Sequence, residues 1–238
     1  MQPNEHIPGP EITRKDAIDG KKNVRVVFCL PGNNFSGRFL DCWTELVAWC
    51  LKNNIQPILS RRQSNNIYFV RNMCLCADVQ RGKDQKPFDG KLDYDFIMWI
   101  DSDILFTPEQ FQRLLGHDMD IVSGVYVMEG GKFIATVEKW DEETFAKQGY
   151  FDFMAVEDLN GKKDLIGVAY TGMGFMLVKR GVFERLEYPW FKPIEKQIGD
   201  MVDFTMEDVA FCLRVREKGI HVLIDPMVRV GHEKSMVF

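Results

Sequence analysis

Hydrophobic and polar residues alternate in blocks that predict alternating strands and helices. The run 24–30 is short and apolar and stops at a Pro-Gly-Asn-Asn stretch over 31–34, a pattern typical of a buried strand followed by a loop. Apolar residues then recur at helical spacing between 39 and 50. A strand at 55–59 and a helix at about 68–79 follow, so the first third has the order β-α-β-α.

The middle of the chain contains the most apolar strand. Residues 94–100 have an unbroken apolar centre, which is typical of a strand covered on both faces, and this strand ends on an Asp-Ser-Asp triplet at 101–103. A helix is predicted to begin after Thr107, because a capping residue, a proline and a Gln three residues after the cap follow in order. Strands are expected next at 120–128 and 132–139.

The last part of the chain predicts sheet, one helix and a long polar excursion. The predicted elements are an excursion at 141–164 that serves binding or is mobile, a strand at 168–178, a helix at about 206–218, and strands at 221–224 and 228–232. We therefore expect the α/β fold class, as a single three-layer α/β/α domain over 23–238 with a mostly parallel central sheet and an antiparallel addition. Residues 1–22 are expected to be a flexible lead-in.

Composition narrows the class of protein. The chain has 238 residues, 45% of them hydrophobic, which is enough for a substantial core. Its 30 Lys and Arg against 35 Asp and Glu leave no overall basic charge of the kind that binds nucleic acid. No window approaches the roughly 20 apolar residues of a transmembrane segment, and the N-terminus lacks the apolar core of a secretory signal. We expect a cytoplasmic protein without a transmembrane segment.

The acidic triplet is the first candidate for chemistry. In open α/β sheets, ligands bind beyond the carboxyl ends of the strands, which is where Asp101 and Asp103 lie. Two carboxylates one residue apart suit a hard divalent cation that waters and substrate phosphates complete. The alternative is an ordinary acidic turn. Two carboxylates at the mouth of a fully apolar strand repel each other unless a cation neutralises them, so the pattern favours a metal site.

Five segments, in order, carry a resemblance to one enzyme family. The segment Ile-Met-Trp-Ile-Asp-Ser-Asp at 97–103 resembles the Asp-x-Asp strand of GT-A glycosyltransferases, particularly family-2-like members. The segment at 68–72 resembles their Arg-Asn segment, and the one at 171–176 resembles their glycine-bearing acceptor-side strand. Thr-Met-Glu-Asp at 205–208 resembles the Glu-Asp motif, and Gly-His at 231–232 resembles the late His that completes the metal site in many members. The order is more specific than any single motif.

The resemblance implies a fold, an activity and ligands. It implies a GT-A-like, Rossmann-like domain and a metal-dependent glycosyltransferase of the hexosyltransferase type. The donor would be a UDP- or GDP-sugar, the acceptor a hydroxyl of a carbohydrate or glycan, and the cofactor Mn²⁺ or Mg²⁺. Stereochemistry stays open, because retaining enzymes share the fold and the metal site, although the Glu-Asp motif favours inversion.

The resemblance also assigns the metal ligands and the general base. Asp103 would bind the metal directly, Asp101 would act through the metal, its waters or the donor ribose, and His232 would be the third protein ligand. Asp208 would remove the acceptor proton, and Glu207 would orient the acceptor or the base. The alternatives are a solvated turn, a surface histidine, and a capping pair that links residues 205 and 208 at a helix start.

Donor-binding residues are less strongly indicated. Arg71 is expected to pair with the diphosphate through its guanidinium group, and Asn72 to contact the nucleotide or support the loop. A solvated arginine on a helix is the alternative. Pro31 and Asn33 would form part of the nucleoside pocket, where asparagines are also common turn formers, and Ser102 belongs to the same donor site.

Two glycines complete the predicted site. Gly172 and Gly174 flank one methionine in a predicted strand, and their missing side chains permit close approach of a sugar or of another backbone. Plain strand packing is the competing interpretation.

Other classes of protein fit less well. A haloacid-dehalogenase-type phosphohydrolase also carries Asp-x-Asp after an apolar strand, but its motif opens the domain, whereas this one follows two β-α units. A sugar-nucleotide pyrophosphorylase expects a Gly-rich basic loop after its first strand, and residues 30–38 match that poorly. A non-catalytic nucleotide-sugar-binding module would keep the pocket but lose the base.

Overall fold

The computed structural model describes residues 23–234, so the lead-in expected over 1–22 lies outside the described residues. Within them, the helices are α1 (Gly37–Lys52), α2 (Ile67–Cys74), α3 (Pro108–Gly116), α4 (Glu142–Gln148) and α5 (Glu207–Glu217). The strands are β1 (Val24–Pro31), β2 (Ile55–Arg62), β3 (Phe96–Ile100), β4 (Ile104–Leu105), β5 (Ile121–Val125), β6 (Thr136–Val137), β7 (Ile166–Gly167), β8 (Tyr170–Thr171), β9 (Phe175–Lys179), β10 (Glu195–Ile198), β11 (Met201–Phe204), β12 (Leu223–Arg229) and β13 (Gly231–His232). Short 3₁₀ turns also occur, one of them at Val156–Leu159.

A seven-stranded sheet forms the centre, in the order β2-β1-β3-β9-β5-β12-β7. Strand β1 is parallel to β2 and β3, and β5 is parallel to β12. Strand β9 runs antiparallel between β3 and β5, and β7 is antiparallel at the edge beside β12. The predicted α/β class with a mostly parallel sheet is confirmed. The antiparallel addition lies partly inside the sheet and not only at its edge.

Alternate residues of the central strands bury two separate cores. On β1, Val26 and Phe28 pack with residues of α1 and α3, whereas Val27 and Cys29 face the other way, toward the end of α2 and toward α5. This two-residue period places helices on both faces of the sheet, which makes three layers. Strand β3 is buried along its whole length, as its apolar sequence predicts.

Three predicted elements are shorter than the hydrophobic pattern indicates. Helix α2 ends at Cys74 and not near residue 79, because Cys76 takes the left-handed backbone region, with φ 59°. The strand expected at 168–178 is two strands, β8 and β9, which are interrupted at residues 172–174. Only β6 forms within the strand expected at 132–139.

Aromatic residues order part of the polar excursion predicted at 141–164. It contains α4 and the 3₁₀ turn at Val156–Leu159. The ring centroids of Trp140 and Phe151 lie 4.2 Å apart, and those of Phe145 and Phe151 lie 4.8 Å apart. Such ring pairs add to the burial of apolar area, and they attach this segment to the core cluster on one face of the sheet, which contains Phe151.

The β10–β11 hairpin is not predicted by the hydrophobic pattern. Its two strands pair antiparallel and are joined at Gly199 and Asp200, where Gly199 has φ 60°. A Gly-Asp pair between two short strands is a known signal for a two-residue hairpin. The turn residues, and not the hydrophobic pattern, therefore indicate this hairpin.

Helix length and composition also bear on membrane insertion. In the part of the chain that the structure describes, none of the helices combines the length and apolar character that a membrane crossing needs.

Candidate functional site

The loops that follow β1 and β3 meet at the carboxyl edge of the sheet. Gly32 adopts φ 141°, and a Cβ at this position would lie 3.0 Å from the Cβ of Ser102. A larger residue at Gly32 would therefore push the two loops apart. Pro31 ends β1, and the exposed Asn33 follows it in the loop. The structure thus places this loop against Ser102.

Asp103 and His232 lie side by side because β4 pairs with β13. The Nε2 of His232 is 3.1 Å from Oδ2 of Asp103, and its Nδ1 is 2.7 Å from the Val127 carbonyl oxygen. Lys234 donates to the same Asp103 oxygen at 2.7 Å. Partial burial opposes the ionisation of Asp103, but the hydrogen bonds from His232 and Lys234 outweigh it and lower the Asp103 pKa to about 2. The hydrogen bond to Asp103 raises the His232 pKa.

Arg71 is a buried cation between two carboxylates. Its side chain is 2% exposed, its Nε donates to Oε1 of Glu207 at 3.0 Å, and its Nη2 donates to Oδ2 of Asp101 at 3.1 Å. The guanidinium carbon lies 5.5 Å from the ring centroid of Trp99. Burial would lower the Arg71 pKa, but Asp101 and Glu207 outweigh it and raise that pKa. Arg71 therefore joins the end of β3 to the start of α5.

This arrangement changes the expected roles of Arg71 and Asp101. Arg71 is not the solvated helical arginine of the alternative interpretation, and its guanidinium already bonds two carboxylates. Asp101 turns toward Arg71 because that cation neutralises it. Among the described residues, no group of three or more His, Cys, Asp or Glu lies close enough to hold a metal ion, so the expected three-residue site is not assembled. The structure pairs Asp103 with His232 and leaves Asp101 apart.

The Asp103–His232 pair fits one hard divalent cation. A carboxylate oxygen and an imidazole nitrogen are suitable ligands, and Mg²⁺ or Mn²⁺ takes its remaining ligands from waters and phosphates. The Val127 carbonyl can accept the Nδ1 hydrogen of His232, which orients the ring and directs Nε2 at Asp103. A cation bound here would replace the contacts that His232 Nε2 and Lys234 make to the Asp103 carboxylate, and His232 would bind it as neutral imidazole.

Asp208 lies in the first turn of α5, beside Glu207. Its Oδ1 accepts from the Val209 backbone N–H at 2.7 Å. Burial, and then the charge of Glu207, raise the Asp208 pKa from 3.8 to about 7. A carboxyl group with a pKa near 7 is matched to general-base catalysis at neutral pH.

The capping pair offered as an alternative for Asp208 does not form. The N-cap of α5 is Met206, without a side-chain hydrogen bond. The Thr205 hydroxyl accepts instead from the Ile194 backbone N–H at 3.0 Å, and the Thr205 carbonyl accepts from the Tyr68 hydroxyl. Helix α5 is therefore positioned by contacts to other elements, and Asp208 forms no capping pair with Thr205, although its Oδ1 accepts one backbone N–H of the first turn.

Asn72 has a supporting position. Its side-chain N–H₂ donates to the carbonyl oxygens of Tyr68, at 2.8 Å, and Phe191, at 2.7 Å. Its Oδ1 accepts from the Phe191 backbone N–H at 3.3 Å. Both amide hydrogens are thus used within the protein, which supports the loop-holding role and leaves neither for a nucleotide.

Gly172 and Gly174 make room for Tyr126, a residue that the sequence did not single out. A Cβ at Gly172 would overlap the Tyr126 hydroxyl, and one at Gly174 would lie 2.8 Å from the Tyr126 ring. The Gly174 N–H donates to the Tyr126 hydroxyl at 3.3 Å, and the ring packs edge-on against His232, with centroids 5.0 Å apart. Burial, then Asp101 and Asp208, raise the Tyr126 pKa. The group that approaches the two glycines closely is thus the Tyr126 side chain. In the sequence, the pair of glycines is the signal that could have indicated this contact.

Comparisons with known proteins concern the fold. No family model matches the sequence, and no curated protein sequence does. The crystal structure of A197 from STIV has a TM-score of 0.50 at 16% identity, over 90% of this chain and 97% of that one. GalNAc-T7, solved with UDP, GalNAc and Mn²⁺, has a TM-score of 0.48 at 11% identity, over 90% of this chain. This chain spans 44% of the GalNAc-T7 chain.

A further similar structure is a mutant β1,4-galactosyltransferase 7 from Drosophila, in complex with manganese, UDP-Gal and xylobiose. Its TM-score is 0.45 at 14% identity, over 89% of this chain and 71% of that one. At such identities the likeness to A197 shows a shared fold and nothing about ligands.

Proposed function

We propose that this chain is a metal-dependent glycosyltransferase that transfers a sugar from a UDP- or GDP-sugar to an acceptor hydroxyl with inversion. One contact carries the proposal. Arg71 joins Asp101, at the end of β3, to Glu207, at the start of α5, so that the acidic strand end and the candidate base Asp208 belong to one site. A buried cation between two carboxylates from distant segments is costly unless the arrangement is well satisfied. Such sites are frequently functional.

Asp208 performs the proton transfer in this proposal. The acceptor oxygen forms a bond to the anomeric carbon of the donor while the bond from that carbon to the diphosphate oxygen breaks. The acceptor proton passes to the Asp208 carboxylate, and the electron pair of the broken bond leaves with the nucleoside diphosphate. A pKa of about 7 means that Asp208 is substantially ionised at neutral pH and still basic enough to accept that proton.

The other residues hold the donor and the base. Asp103 and His232 would hold the cation, which supplies the positive charge that neutralises the diphosphate when it is bound. Glu207 is fixed by Arg71, so the first turn of α5 keeps Asp208 in one position. The loops at Asn33 and Ser102 lie together at the sheet edge and would contact the nucleoside.

The rival activities fit this geometry less well. A phosphohydrolase would use Asp101 as its nucleophile, but Asp101 forms an ion pair with Arg71 at 3.1 Å, which stabilises its negative charge and weakens it as a nucleophile. A non-catalytic module has no need of a carboxyl group with a pKa of about 7 beside the site.

Ligand-dependent thermal stability tests the proposal. Melting temperature would be measured with a panel of UDP- and GDP-sugars, with and without Mn²⁺. We expect one donor class to raise it only with Mn²⁺, because a ligand at 100 times its Kd stabilises the folded state by about 2.7 kcal/mol. Asp103→Asn should lose the response. The control Asp41→Asn, on the exposed part of α1, should keep it.

Two outcomes would count against the proposal. The first is that no nucleotide sugar changes the melting temperature. The second is an equal shift with and without Mn²⁺, which would remove the cation from donor binding.

A further inference from the structure

A cavity of about 230 Å³, separate from the acidic strand end, opens beside the start of α5. Its walls come from three segments that are distant in sequence: the excursion around α4, strand β8, and the β10–β11 hairpin together with the start of α5. Half of the lining residues are aromatic, and they include Trp140, Tyr150, Phe151, Phe153, Tyr170 and Phe204. Apolar walls with a few polar groups are typical of small-molecule sites.

The cavity is adjacent to the candidate base. Met206 and Val209 both line it, and they flank Glu207 and Asp208 in sequence. Burial, and then the Asp208 charge, raise the pKa of the Tyr170 hydroxyl, which means that the phenol of this wall lies within the field of the carboxylate. The cavity therefore lies beside the first turn of α5, the turn that carries Asp208.

The outer rim of the cavity is uncovered. Tyr150 is 58% exposed and Phe204 is 62% exposed, although both side chains are large and apolar. Exposed aromatic residues at the mouth of a pocket provide a flat apolar face that loses water when a ligand packs on it. The hairpin also brings two charged side chains to the lining, Lys196 and Asp203. The Lys196 ammonium lies 5.8 Å from the centroid of the Trp140 ring.

We propose that this cavity binds one sugar ring of the acceptor, with the C–H face of the ring against the aromatic wall and its hydroxyls toward Lys196 and Asp203. An alkyl chain would bury the aromatic residues equally well, but it would offer no hydrogen-bonding group to the Lys196 ammonium and the Asp203 carboxylate in the lining. A sugar ring supplies both an apolar face and hydrogen-bonding groups at its rim. The inference rests on the proposed function, since it assigns the acceptor of that transfer.

Binding of simple glycosides, without any nucleotide sugar, tests the cavity by itself. Saturation-transfer NMR would be recorded with the methyl glycosides of glucose, galactose, mannose and N-acetylglucosamine, and with hexanol as an apolar probe. We expect at least one glycoside to bind, with saturation strongest on the protons of one ring face. Phe204→Ala should weaken its Kd by about tenfold or more, the scale of a lost aromatic contact face.

Leu51→Ala is the matched control. Leu51 is 65% exposed, close to the value for Phe204, and it lies in the last turn of α1, which leads into the start of β2 at the opposite end of the sheet. Both variants should melt near the temperature of the unmodified protein, because exposed substitutions change stability little. Only Phe204→Ala should weaken glycoside binding.

The remaining outcomes separate this inference from the proposed function. Absence of binding by every glycoside, unchanged binding in Phe204→Ala, or binding of hexanol alone would overturn the sugar site. Glycoside binding that depends on Phe204, in a protein that transfers from no nucleotide sugar, would support a sugar-binding cavity and refute the proposed transfer. Transfer with an acceptor KM unchanged in Phe204→Ala would retain the activity and refute the cavity as its acceptor site.

Discussion

Replacement of Asp208 by Asn separates a general base from a structural carboxylate. Asn keeps the shape of the side chain, and its oxygen can still accept from the Val209 N–H, which is the hydrogen bond that Asp208 makes in the structure. It cannot accept the acceptor proton. We expect transfer to slow by about a hundredfold or more, the usual scale of general-base catalysis, while donor affinity stays unchanged.

The same substitution has a predicted effect on stability. The folded-state pKa of Asp208 is raised from 3.8 to about 7, so its favourable contribution is complete below about pH 4 and is lost as pH rises toward 7. One pKa unit corresponds to ~1.4 kcal/mol, and the full change would be about 4 kcal/mol. Asp208 is only half-buried, so nearby water weakens both the effect of burial and the repulsion from Glu207, and we expect about 1–2 kcal/mol. The amide of the Asp208→Asn variant carries no charge, so the variant should gain that amount relative to the unmodified protein between pH 4 and pH 8.

Urea denaturation of the metal-free protein at several pH values measures the stability change, and nucleoside diphosphate release measures transfer. Asp41→Asn is a control that should transfer at the normal rate. Parallel stability curves for the unmodified protein and Asp208→Asn across this pH range would contradict the raised pKa. Near-normal transfer by Asp208→Asn would refute the base assignment and make a retaining mechanism the first alternative to examine.

Three further predictions follow from the contacts around the site. Asp103→Asn and His232→Ala should each weaken Mn²⁺ binding by about tenfold or more in calorimetry, and EDTA should abolish turnover. An unchanged Mn²⁺ affinity in either variant would remove that residue from the metal site. Arg71→Met leaves Asp101 and Glu207 without their cation and should lower the free energy of unfolding, measured in urea, by about 3–5 kcal/mol. A loss under about 1 kcal/mol would contradict a stabilising role of these two ion pairs. Gly172→Ala should destabilise by about 1–3 kcal/mol, and Tyr126→Ala in the same chain should relieve part of it; additive effects in the double-mutant cycle would mean that the two residues do not clash.

Local sequence patterns were sufficient to predict the elements that position the acidic strand end. The apolar run that ends at Asp101 forms the fully buried β3, and the capping residues after Thr107 begin α3. These features are readable because burial on both faces and helix capping each leave a signature within a few residues. The side-by-side placement of Asp103 and His232 was expected only from the resemblance to GT-A glycosyltransferases, since the residues are 129 positions apart in sequence.

The rest of the site depends on contacts that no short segment encodes. Arg71 has the sequence context of a helix-surface residue, and only the packing of α2 against the carboxyl edge makes it a buried partner of Asp101 and Glu207. Tyr126 fills the space that Gly172 and Gly174 leave. Because these residues are distant in sequence, neither the tyrosine nor the glycines indicate the contact by themselves. The aromatic cavity likewise forms from three separated segments, and its existence follows from tertiary packing.

The anomeric configuration of a product is the most direct test of the proposed sugar transfer. The protein would be incubated with Mn²⁺, the nucleotide sugar that raises its melting temperature, and the glycoside that binds it, and the product would be followed by proton NMR as it forms. We expect a new glycosidic bond with the anomeric configuration opposite to that of the donor. EDTA should abolish its formation, and Asp208→Asn should slow it by about a hundredfold or more. Release of free sugar or phosphate without a new glycosidic bond, or a product that forms equally fast without the Asp208 carboxylate, would contradict this expectation.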